Sequence, residues 1–279
     1  MQRLKGLVAV VTGASRGAGR GIAQVLGEEG ATVYVTGRSV SGATTRDWPG
    51  TIEDTAEAVT VRGGLGIPVR CDHTKDDEVR ALFERVHKEQ GKLDLLVNNA
   101  FGGSESGGPR GPFWVRPVDC WDTMFTAGVR ASLMASYFAA PILVAQGRGL
   151  IVNTTFLFDH YGGFLQYDLA KAALIRLAFC MAQDLKPHGV AAVAVSPGWM
   201  RTELVLAHFG ATEETWRQFP PLTTTESTEY VGRAIAALAA DPQVMAKTGQ
   251  VLKVGDLAME YGFTDIDGRQ VPPYVTSEA

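Results

Sequence analysis

Short apolar runs alternate with helical segments along most of the chain, and this alternation constrains its fold more than any other feature. The runs have no polar face, which is typical of parallel strands buried on both sides of a sheet. Strands joined by helical crossovers predict an α/β fold, with a doubly wound parallel sheet in a single domain spanning 1–279. The predicted strands are 7–12, 31–36, 67–70, 93–97, 150–154 and 190–195. The first predicted helix follows the glycine-rich loop and ends near residue 29. The other predicted helices cover 51–61, 76–90, 118–145 and 166–186.

Three segments without this periodicity interrupt the pattern, at 39–50, 102–117 and 198–225. Long loops in a compact domain are usually functional or mobile, so we interpret 198–225 as a lid or substrate wall. A partly apolar pocket and simple core packing both explain the large apolar residues Trp199, Met200, Leu204, Phe209, Phe156 and Phe164. The tail, 260–279, has few apolar residues and is either loose or packed on a partner.

Charge and cysteine content disfavour several classes of function. The chain has 26 Lys and Arg against 30 Asp and Glu, a net charge of −4, so no nucleic-acid partner is expected. Three cysteines without regular spacing, and no recognisable signal peptide, predict a reduced, cytoplasmic protein. The uncharged stretch between Arg130 and Arg148 contains Pro141 and falls short of the ~20 residues of a membrane span, so we interpret it as a core helix. The histidines show no ligand spacing, and no metal site is predicted.

A glycine-rich loop, TGASRGAG at 12–19, follows the first strand and opens the first helix. Glycine lets the backbone approach a pyrophosphate closely and lets the helix pack tightly on the strand. The helix N-terminus offers unpaired N–H groups and positive potential to phosphate. We therefore predict a dinucleotide cradle whose contacts are made by Gly13, Ser15, Arg16, Gly17 and Gly19.

The same loop also matches GxSxG, the nucleophile elbow of α/β hydrolases, through Gly13, Ser15 and Gly17. An elbow needs an oxyanion-hole loop from an earlier strand, and only twelve residues precede Gly13. The hydrolase interpretation is therefore disfavoured.

The end of the second strand indicates which dinucleotide is bound. NAD-binding folds carry an acidic residue about 20 residues after the glycines, where it binds the ribose hydroxyls. Here the strand ends Thr36-Gly37-Arg38, and the Arg38 cation suits a 2′-phosphate, with Arg16 as a second cation. The pattern favours NADP(H) over NAD(H), although both arginines are also compatible with plain surface charge.

Tyr167 and Lys171 stand four residues apart on a predicted helix, so they share one face at about 6 Å. A free tyrosine has a pKa of about 10, too high for acid–base work at neutral pH. A neighbouring ammonium stabilises the phenolate and lowers that pKa. The pair can therefore exchange a proton with a carbonyl oxygen while hydride reaches the carbonyl carbon. An exposed helix face would show the same spacing, but the position after an apolar strand of a doubly wound sheet favours catalysis.

Taken together, these motifs resemble the classical short-chain dehydrogenase/reductase family, in that family's order and spacing over about 5–255. The matching motifs are TGxxxGxG at 12–19, NNA at Asn98-Asn99-Ala100, YxxxK from Tyr167 to Lys171, and PG at Pro197-Gly198. The resemblance implies a Rossmann-type fold and an NAD(P)-dependent oxidoreductase that acts on carbonyl or alcohol groups. It also implies a dimer or tetramer built on the long helices, although core burial explains their apolar faces equally well.

The resemblance further implies roles for single residues. Tyr167 would be the general acid/base, and Lys171 would lower its pKa and bond to the nicotinamide ribose. Asp72, after the third strand, would meet the adenine side, while Asn98 would contact the cofactor and brace the sheet. The other cofactor contacts expected from these motifs are Ala100, Pro197, Gly198 and Thr202.

The usual active-site serine is the first departure from the family. That serine lies near the end of the fifth strand and orients the substrate carbonyl. Counting from the strand start places Phe156 there, counting back from Tyr167 places Thr154 there, and Thr155 lies between. A threonine hydroxyl donates the same hydrogen bond, so we select Thr155, although both threonines would also fit as ordinary strand residues. Another polar group could come from Asp159, His160 or Tyr161.

The second departure lies in the long helix, where the family has an asparagine that serves a proton relay. Counting from Trp121-Asp122 reaches Gly128, so the relay is altered or water substitutes for it. The family's NNAG also becomes NNAF, with Phe101 in the fourth position. In having Gly128 and the extended 39–50 loop, the chain resembles a branch of the family close to dehydrogenase/reductase member 1.

We therefore predict an NADP(H)-dependent oxidoreductase for a small carbonyl or alcohol substrate, assembled as a homodimer or homotetramer. The altered serine and asparagine positions motivate an alternative, a dinucleotide-binding sensor or scaffold with little or no catalysis. It predicts cofactor binding without turnover. A third interpretation keeps the cofactor for isomerisation or dehydration, and net cofactor consumption separates it from the first.

Overall fold

Seven parallel strands form one sheet in the order β3-β2-β1-β4-β5-β6-β7. The computed structural model describes residues 2–103, 111–157 and 159–275. The predicted doubly wound α/β sheet is confirmed. Strand β7 lies in a region to which the sequence pattern assigned no element. The strands are β1 Val8–Val11, β2 Thr32–Gly37, β3 Leu65–Arg70, β4 Leu95–Asn98, β5 Gly149–Thr154, β6 Val190–Ser196 and β7 Val251–Lys253.

Helices cover both faces of the sheet. They are α1 Gly17–Glu28, α2 Ile52–Val61, α3 Asp76–Gln90, α4 Asp119–Met124, α5 Ala131–Gln146, α6 Leu165–Leu185, α7 Glu203–Phe209, α8 Thr228–Ala240 and α9 Val254–Tyr261. The long helix predicted at 118–145 is α4 and α5 joined by a π-helical turn, Phe125–Arg130. Short π-helical turns inside a helix occur frequently at functional sites.

Each central strand is buried on both faces, so its side chains alternate between two cores. Ala9 and Val11 of β1 belong to the core beneath α1 and α8, whereas Val8 and Val10 pack on the side of α3 and α5. The chain reverses its direction of winding between β1 and its neighbour β4. In open α/β sheets, ligands bind at such a switch point, outside the carboxyl ends of the strands.

The segment 198–225 is folded rather than loose. It contains α7 and two 3-10 turns, Trp216–Gln218 and Pro220–Thr224, around a small apolar core of its own. Buried Arg201 fastens this lid: its guanidinium pairs with Glu213 at 3.0 Å and lies 4.4 Å from the Trp216 ring centroid. The lid is therefore a folded unit with a core of its own.

The tail packs back on this lid as far as the structure describes it, to residue 275. The Arg269 guanidinium donates to the carbonyl oxygens of Thr223 and Thr225, both at 2.8 Å. The Tyr230 hydroxyl donates to the carbonyl oxygen of Val271 at 2.9 Å. The sequence left open a loose tail and one packed on a partner; in the structure 260–275 packs on its own chain. Residues 276–279, and 104–110 of the predicted loop 102–117, lie outside the described residues.

The stretch Asp119–Gln146 is the one helical stretch, within the described ranges, long and apolar enough to cross a membrane. Its most apolar window has a mean hydropathy of 1.4 and is 39% buried. Core helices of globular proteins reach the same values. Here α5 packs against α3 and against β4 and β5, as the core-helix interpretation expects.

Candidate active site

A cavity of about 630 Å³ opens at the carboxyl edge of the sheet. That volume is in the usual range for small-molecule and cofactor sites. Its walls are the segments that leave the ends of β1 to β6, closed on one side by the lid. The predicted site residues that line it are Gly13, Ser15, Arg16, Gly17, Arg38, Asp72, Ala100, Thr155, Tyr167, Lys171, Pro197, Gly198 and Thr202.

The glycine loop between β1 and α1 has the close contacts that a dinucleotide cradle requires. Gly13 has φ +64°, and a Cβ there would lie 2.7 Å from the Cα of Ala100. A Cβ on Gly19 would overlap the Gly13 carbonyl oxygen. Gly19 does not line the cavity; it lets α1 pack tightly on the loop, so its contribution is to shape.

The NNA segment locks this loop in place. The Thr12 hydroxyl accepts hydrogen bonds from the N–H groups of Asn99 and Ala100, both at 2.9 Å. The Asn99 amide donates to the carbonyl oxygens of Thr12 and Gly13 at 2.9 and 3.0 Å. Asn98 instead turns inward, where its amide donates to Ser136 and Asn153. Asn98 therefore braces the sheet behind the cavity, and Asn99, which we did not select from the sequence, faces it.

An anion already occupies the N-terminus of α1. The Gly17 N–H donates to a carboxylate oxygen of Glu203 at 2.8 Å, and Arg20 lies 3.8 Å from the other oxygen of that carboxylate. Glu203 is the first residue of α7, so the lid supplies this contact. A carboxylate accepting this bond supports the prediction that the N–H groups here suit a phosphate oxygen. The loop therefore fits a dinucleotide.

Arg38 and Asp72 line the opposite end of the cavity, after β2 and β3. Burial opposes ionisation of Asp72, but hydrogen bonds from the backbone and hydroxyl of Thr74 and the Arg38 charge hold its pKa below the usual value. Asp72 is therefore an anion that can accept from a ligand N–H or hydroxyl. Burial lowers the pKa of neighbouring His73 to about 4, so this imidazole is neutral at pH 7.

Arg16 has a structural task in addition to its charge. Its guanidinium donates to the Ser39 hydroxyl at 2.8 Å. It also donates to three carbonyl oxygens of the 39–50 loop, those of Trp48, Pro49 and Gly50, at 2.9 to 3.3 Å. The Arg16 side chain therefore points at the 39–50 loop. These hydrogen bonds hold the loop in place as part of the cavity wall.

Tyr167 and Lys171 lie one turn apart on α6 and face the cavity together. The Lys171 Nζ is 5.5 Å from the Tyr167 ring centroid. Phe101 packs its ring edge to face with Tyr167 at 5.6 Å between centroids, and Phe164 lies on another side at 6.3 Å. The tyrosine is therefore held by aromatic neighbours with part of its surface open to the cavity.

Burial dominates the ionisation of this pair. It raises the pKa of Tyr167 to about 12 and lowers the pKa of Lys171 to about 8. Burial of the phenol thus opposes the lowering of the tyrosine pKa that a neighbouring ammonium is expected to cause. At neutral pH the phenol keeps its proton, while the lysine is mainly charged.

Thr154, the last residue of β5, and Thr155 after it direct their hydroxyls at the backbone. Thr155 donates to the carbonyl oxygen of Lys171 at 2.7 Å, and Thr154 donates to that of Asn98 at 3.2 Å. Thr155 thus ties the end of β5 to α6. Phe156 lines the cavity beside Tyr274, with ring centroids 5.5 Å apart.

The expected apolar wall is present in part. Trp199, Met200, Leu204 and Phe156 line the cavity, together with Tyr274 of the tail. Two residues expected there are elsewhere. Phe209 packs in the lid core, and Phe164 lies under the Arg116 guanidinium at 4.2 Å.

Within the described ranges, no group of three or more His, Cys, Asp or Glu side chains lies close enough together to hold a metal ion. No disulfide links the three cysteines, all of which lie in the described ranges; Cys71 and Cys120 are buried, and Cys180 is exposed.

Comparison with known proteins places this site in a family. A family profile described as "Enoyl-(Acyl carrier protein) reductase" matches residues 13–256. The chain belongs to the short-chain dehydrogenase/reductase family of oxidoreductases, as its motifs predicted.

Within that family, the chain is similar to dehydrogenase/reductase SDR family member 1. The mouse (Mus musculus) protein is 40% identical over 97% of this chain and 87% of its own length. The human (Homo sapiens) protein is 38% identical, over 98% and 87%. A short-chain dehydrogenase from Mycobacterium thermoresistibile has the same fold, with a TM-score of 0.81, 24% identity and coverage of 99% and 95%.

Proposed function

We propose that this protein is an NADP(H)-dependent oxidoreductase that interconverts a carbonyl and an alcohol, with Tyr167 as general acid/base. The observation that carries the proposal is that Tyr167 and Lys171 line the same cavity as the glycine loop. Proton transfer and dinucleotide binding therefore have a common site.

The nicotinamide, when bound, supplies hydride to a carbonyl carbon or accepts it from an alcohol carbon. Tyr167 handles the accompanying proton. In reduction its phenol, protonated at neutral pH, donates to the substrate oxygen as negative charge develops there. Lys171 stabilises the phenolate that remains, because its ammonium lies one helical turn away. In oxidation the Tyr167 oxygen first loses its own proton and then accepts the proton of the alcohol.

The cavity lining supports a definite orientation of the dinucleotide. Gly13, Ser15 and Gly17 would hold the pyrophosphate, and Asp72 would meet the adenine side. Arg38 would bind the 2′-phosphate of NADP(H). The acidic residue that binds the ribose hydroxyls in NAD-binding folds is not present at the end of β2. Both features favour NADP(H) over NAD(H). The residues that would flank the nicotinamide are Ala100, Pro197, Gly198, Thr202 and Lys171.

Thr155 is the proposed third member of the catalytic group. It lines the cavity and contacts the Lys171 backbone. A hydroxyl rotates about its C–O bond, so the same group can turn to a substrate oxygen. Gly19 and Asn98 act behind the cavity, through helix packing and sheet bracing.

The test is cofactor binding followed by turnover. Fluorescence titration with NADPH and NADH measures preference, and a panel of ketones, aldehydes and quinones then measures consumption by wild type and Tyr167→Phe. We expect tighter NADPH binding, with consumption by wild type alone. Preferential NADH binding would refute the role of Arg38.

A cofactor-binding sensor or scaffold is the second candidate. It is favoured by Phe156 near the usual serine position and by the Thr155 hydroxyl directed at Lys171. Binding of NADPH without consumption on the whole panel supports it. Conversion of a substrate without net cofactor consumption supports isomerisation or dehydration instead.

We further propose a cytoplasmic homodimer or homotetramer. The small number of cysteines and their irregular spacing support a reducing compartment. Exposed apolar residues on α5 and α6, among them Leu133, Tyr137 and Phe179, support contact with a second copy. Light scattering on the purified protein measures its mass, and a monomer at micromolar concentration would contradict the assembly.

A further inference from the structure

Two departures from the family pattern, Phe101 and Gly128, meet in space behind the candidate acid/base. A Cβ built on Gly128 would lie 2.7 Å from Cδ2 and 3.0 Å from Cε2 of the Phe101 ring. A Cβ on Gly103 would lie 2.8 Å from Cδ1 on the other side. The ring therefore occupies a slot between two glycines, and any side chain at 128 would displace it.

The ring in this slot faces Lys171. The Lys171 Nζ lies 4.0 Å from the Phe101 ring centroid, closer than the 5.5 Å to the Tyr167 ring. Lys171 is only 7% exposed. A buried ammonium needs a partner to offset lost hydration, and an aromatic face at this distance is one.

The turn that carries Gly128 is part of the same arrangement. Gly128 lies in the π-helical turn Phe125–Arg130, and its carbonyl oxygen accepts the Ser132 hydroxyl at 2.8 Å. The Phe101 ring thus packs against Gly128, the position where the family pattern predicts an asparagine.

We propose that Phe101 is a positioning residue for Lys171, holding its ammonium beside Tyr167 by a cation–π contact in the slot left by Gly128 and Gly103. This inference rests on the proposed function, since it names the group that holds the proposed lysine. In this arrangement the two departures from the family pattern depend on each other, because the Phe101 ring fits only where residue 128 is glycine.

Among the residues that the structure describes, no carboxylate forms an ion pair with Lys171, and its ammonium faces the rings of Phe101 and Tyr167. Tyr167 is the titratable group that faces it from its own helix. On the π-helical turn, Arg130 is paired with Asp76 at 2.7 Å, and on α4 the carboxylates of Asp119 and Asp122 are exposed. A change in the ring should therefore change the ionisation of Lys171.

The decisive variant is Phe101→Leu, which keeps a large apolar side chain and removes the π face. We expect the Lys171 pKa to fall by about one unit. It is measured by NMR on protein labelled with 13C-lysine, without substrate or cofactor, and the signal is assigned by its loss in Lys171→Met. The control is Phe164→Leu, which alters another aromatic neighbour of Tyr167 and should leave the Lys171 pKa unchanged. An unchanged pKa in Phe101→Leu, or an equal shift in Phe164→Leu, overturns the proposal.

A double-mutant cycle tests the coupling, and its Gly128→Ala single variant serves if Phe101→Leu does not fold. Gly128→Ala alone should shift the Lys171 pKa and lower the unfolding temperature, because its methyl displaces the ring. In a Phe101→Ala background, the same substitution should do neither. Equal effects in both backgrounds would show that the two sites are independent, against the proposal.

Turnover then separates this inference from the proposed function. The alkaline limb of the kcat profile should move in Phe101→Leu by the same shift as the lysine pKa. If Tyr167→Phe keeps full turnover, the proposed function fails, while the NMR result still decides the role of Phe101. If the lysine pKa moves but the alkaline limb of an active enzyme does not, the ring does not act through Lys171 in catalysis.

Discussion

Replacing Glu203 by glutamine should tighten cofactor binding, because the lid holds a carboxylate where a phosphate is expected. The Glu203 oxygen accepts the Gly17 N–H at 2.8 Å. An incoming pyrophosphate must break this bond and share the helix N-terminus with a like charge. Glutamine keeps the size of the side chain and removes its charge.

The magnitude follows from two contributions, both of which weaken NADPH binding in the wild type. A hydrogen bond to a charged group contributes about 1.5–3 kcal/mol, and like charges about 5 Å apart at an effective dielectric of about 60 repel by about 1 kcal/mol. The Glu203 side chain is 32% exposed, so solvent screens both. We therefore expect a net gain of about 1.4 kcal/mol, a tenfold lower Kd for NADPH.

The assay is fluorescence titration of NADPH at low and high salt. The gain should shrink as salt rises, because exposed charges are screened. It should be absent for adenosine, which carries no phosphate. Glu214→Gln, the same change at an exposed lid position that does not contact the glycine loop, is the control. Unchanged or weaker NADPH binding in Glu203→Gln would refute the reasoning.

Three further predictions concern stability and the cavity wall. Burial raises the pKa of Glu226 to about 8, above its unfolded value, so its contribution to stability is full at low pH and is lost as pH rises toward 8. In thermal unfolding, Glu226→Gln should lose this decline and melt above wild type at pH 8; a parallel pH dependence would contradict this. Arg16→Ala should release the 39–50 loop, giving faster amide hydrogen exchange there and about tenfold weaker NADPH binding, since several hydrogen bonds are lost; unchanged exchange would contradict the clamp. Thr155→Val should cost about 1 kcal/mol in denaturant unfolding and lower turnover more than Thr154→Val, because only Thr155 contacts Lys171; equal turnover would contradict its selection.

Local patterns were enough to predict the sheet and the glycine loop. Continuous apolar runs fix buried strands, and a strand followed by glycines and a helix fixes the cradle. The boundaries differ by a few residues, as at β3, which begins at Leu65 rather than at 67. These features depend on neighbours in sequence, so the sequence carries them directly.

The rest of the site depends on contacts between distant segments. The slot for Phe101 needs Gly128, which lies on another element. Tyr274 reaches the cavity only because the tail folds back on the lid. Neither contact leaves a periodic pattern. The signal that pointed to the Phe101 slot was that two family positions departed together.

The choice between Asn98 and Asn99 shows the same limit. Both lie in one motif, and strand alternation places their side chains on opposite sides. The structure shows that β4 ends at Asn98 and that the Asn98 amide donates to Ser136, so Asn98 is the one that faces the core. Likewise, burial raises the pKa of Tyr167, and burial is a property of the whole fold.

The central claim is that Tyr167 donates the proton while hydride reaches a carbonyl carbon in this cavity. The most direct measurement is mass spectrometry of the alcohol formed from NADPH deuterated at the transferred nicotinamide C4 position. The account predicts one deuterium on the former carbonyl carbon with wild type, and loss of product with Tyr167→Phe although NADPH still binds. Product without deuterium, or equal product from both proteins, would contradict it.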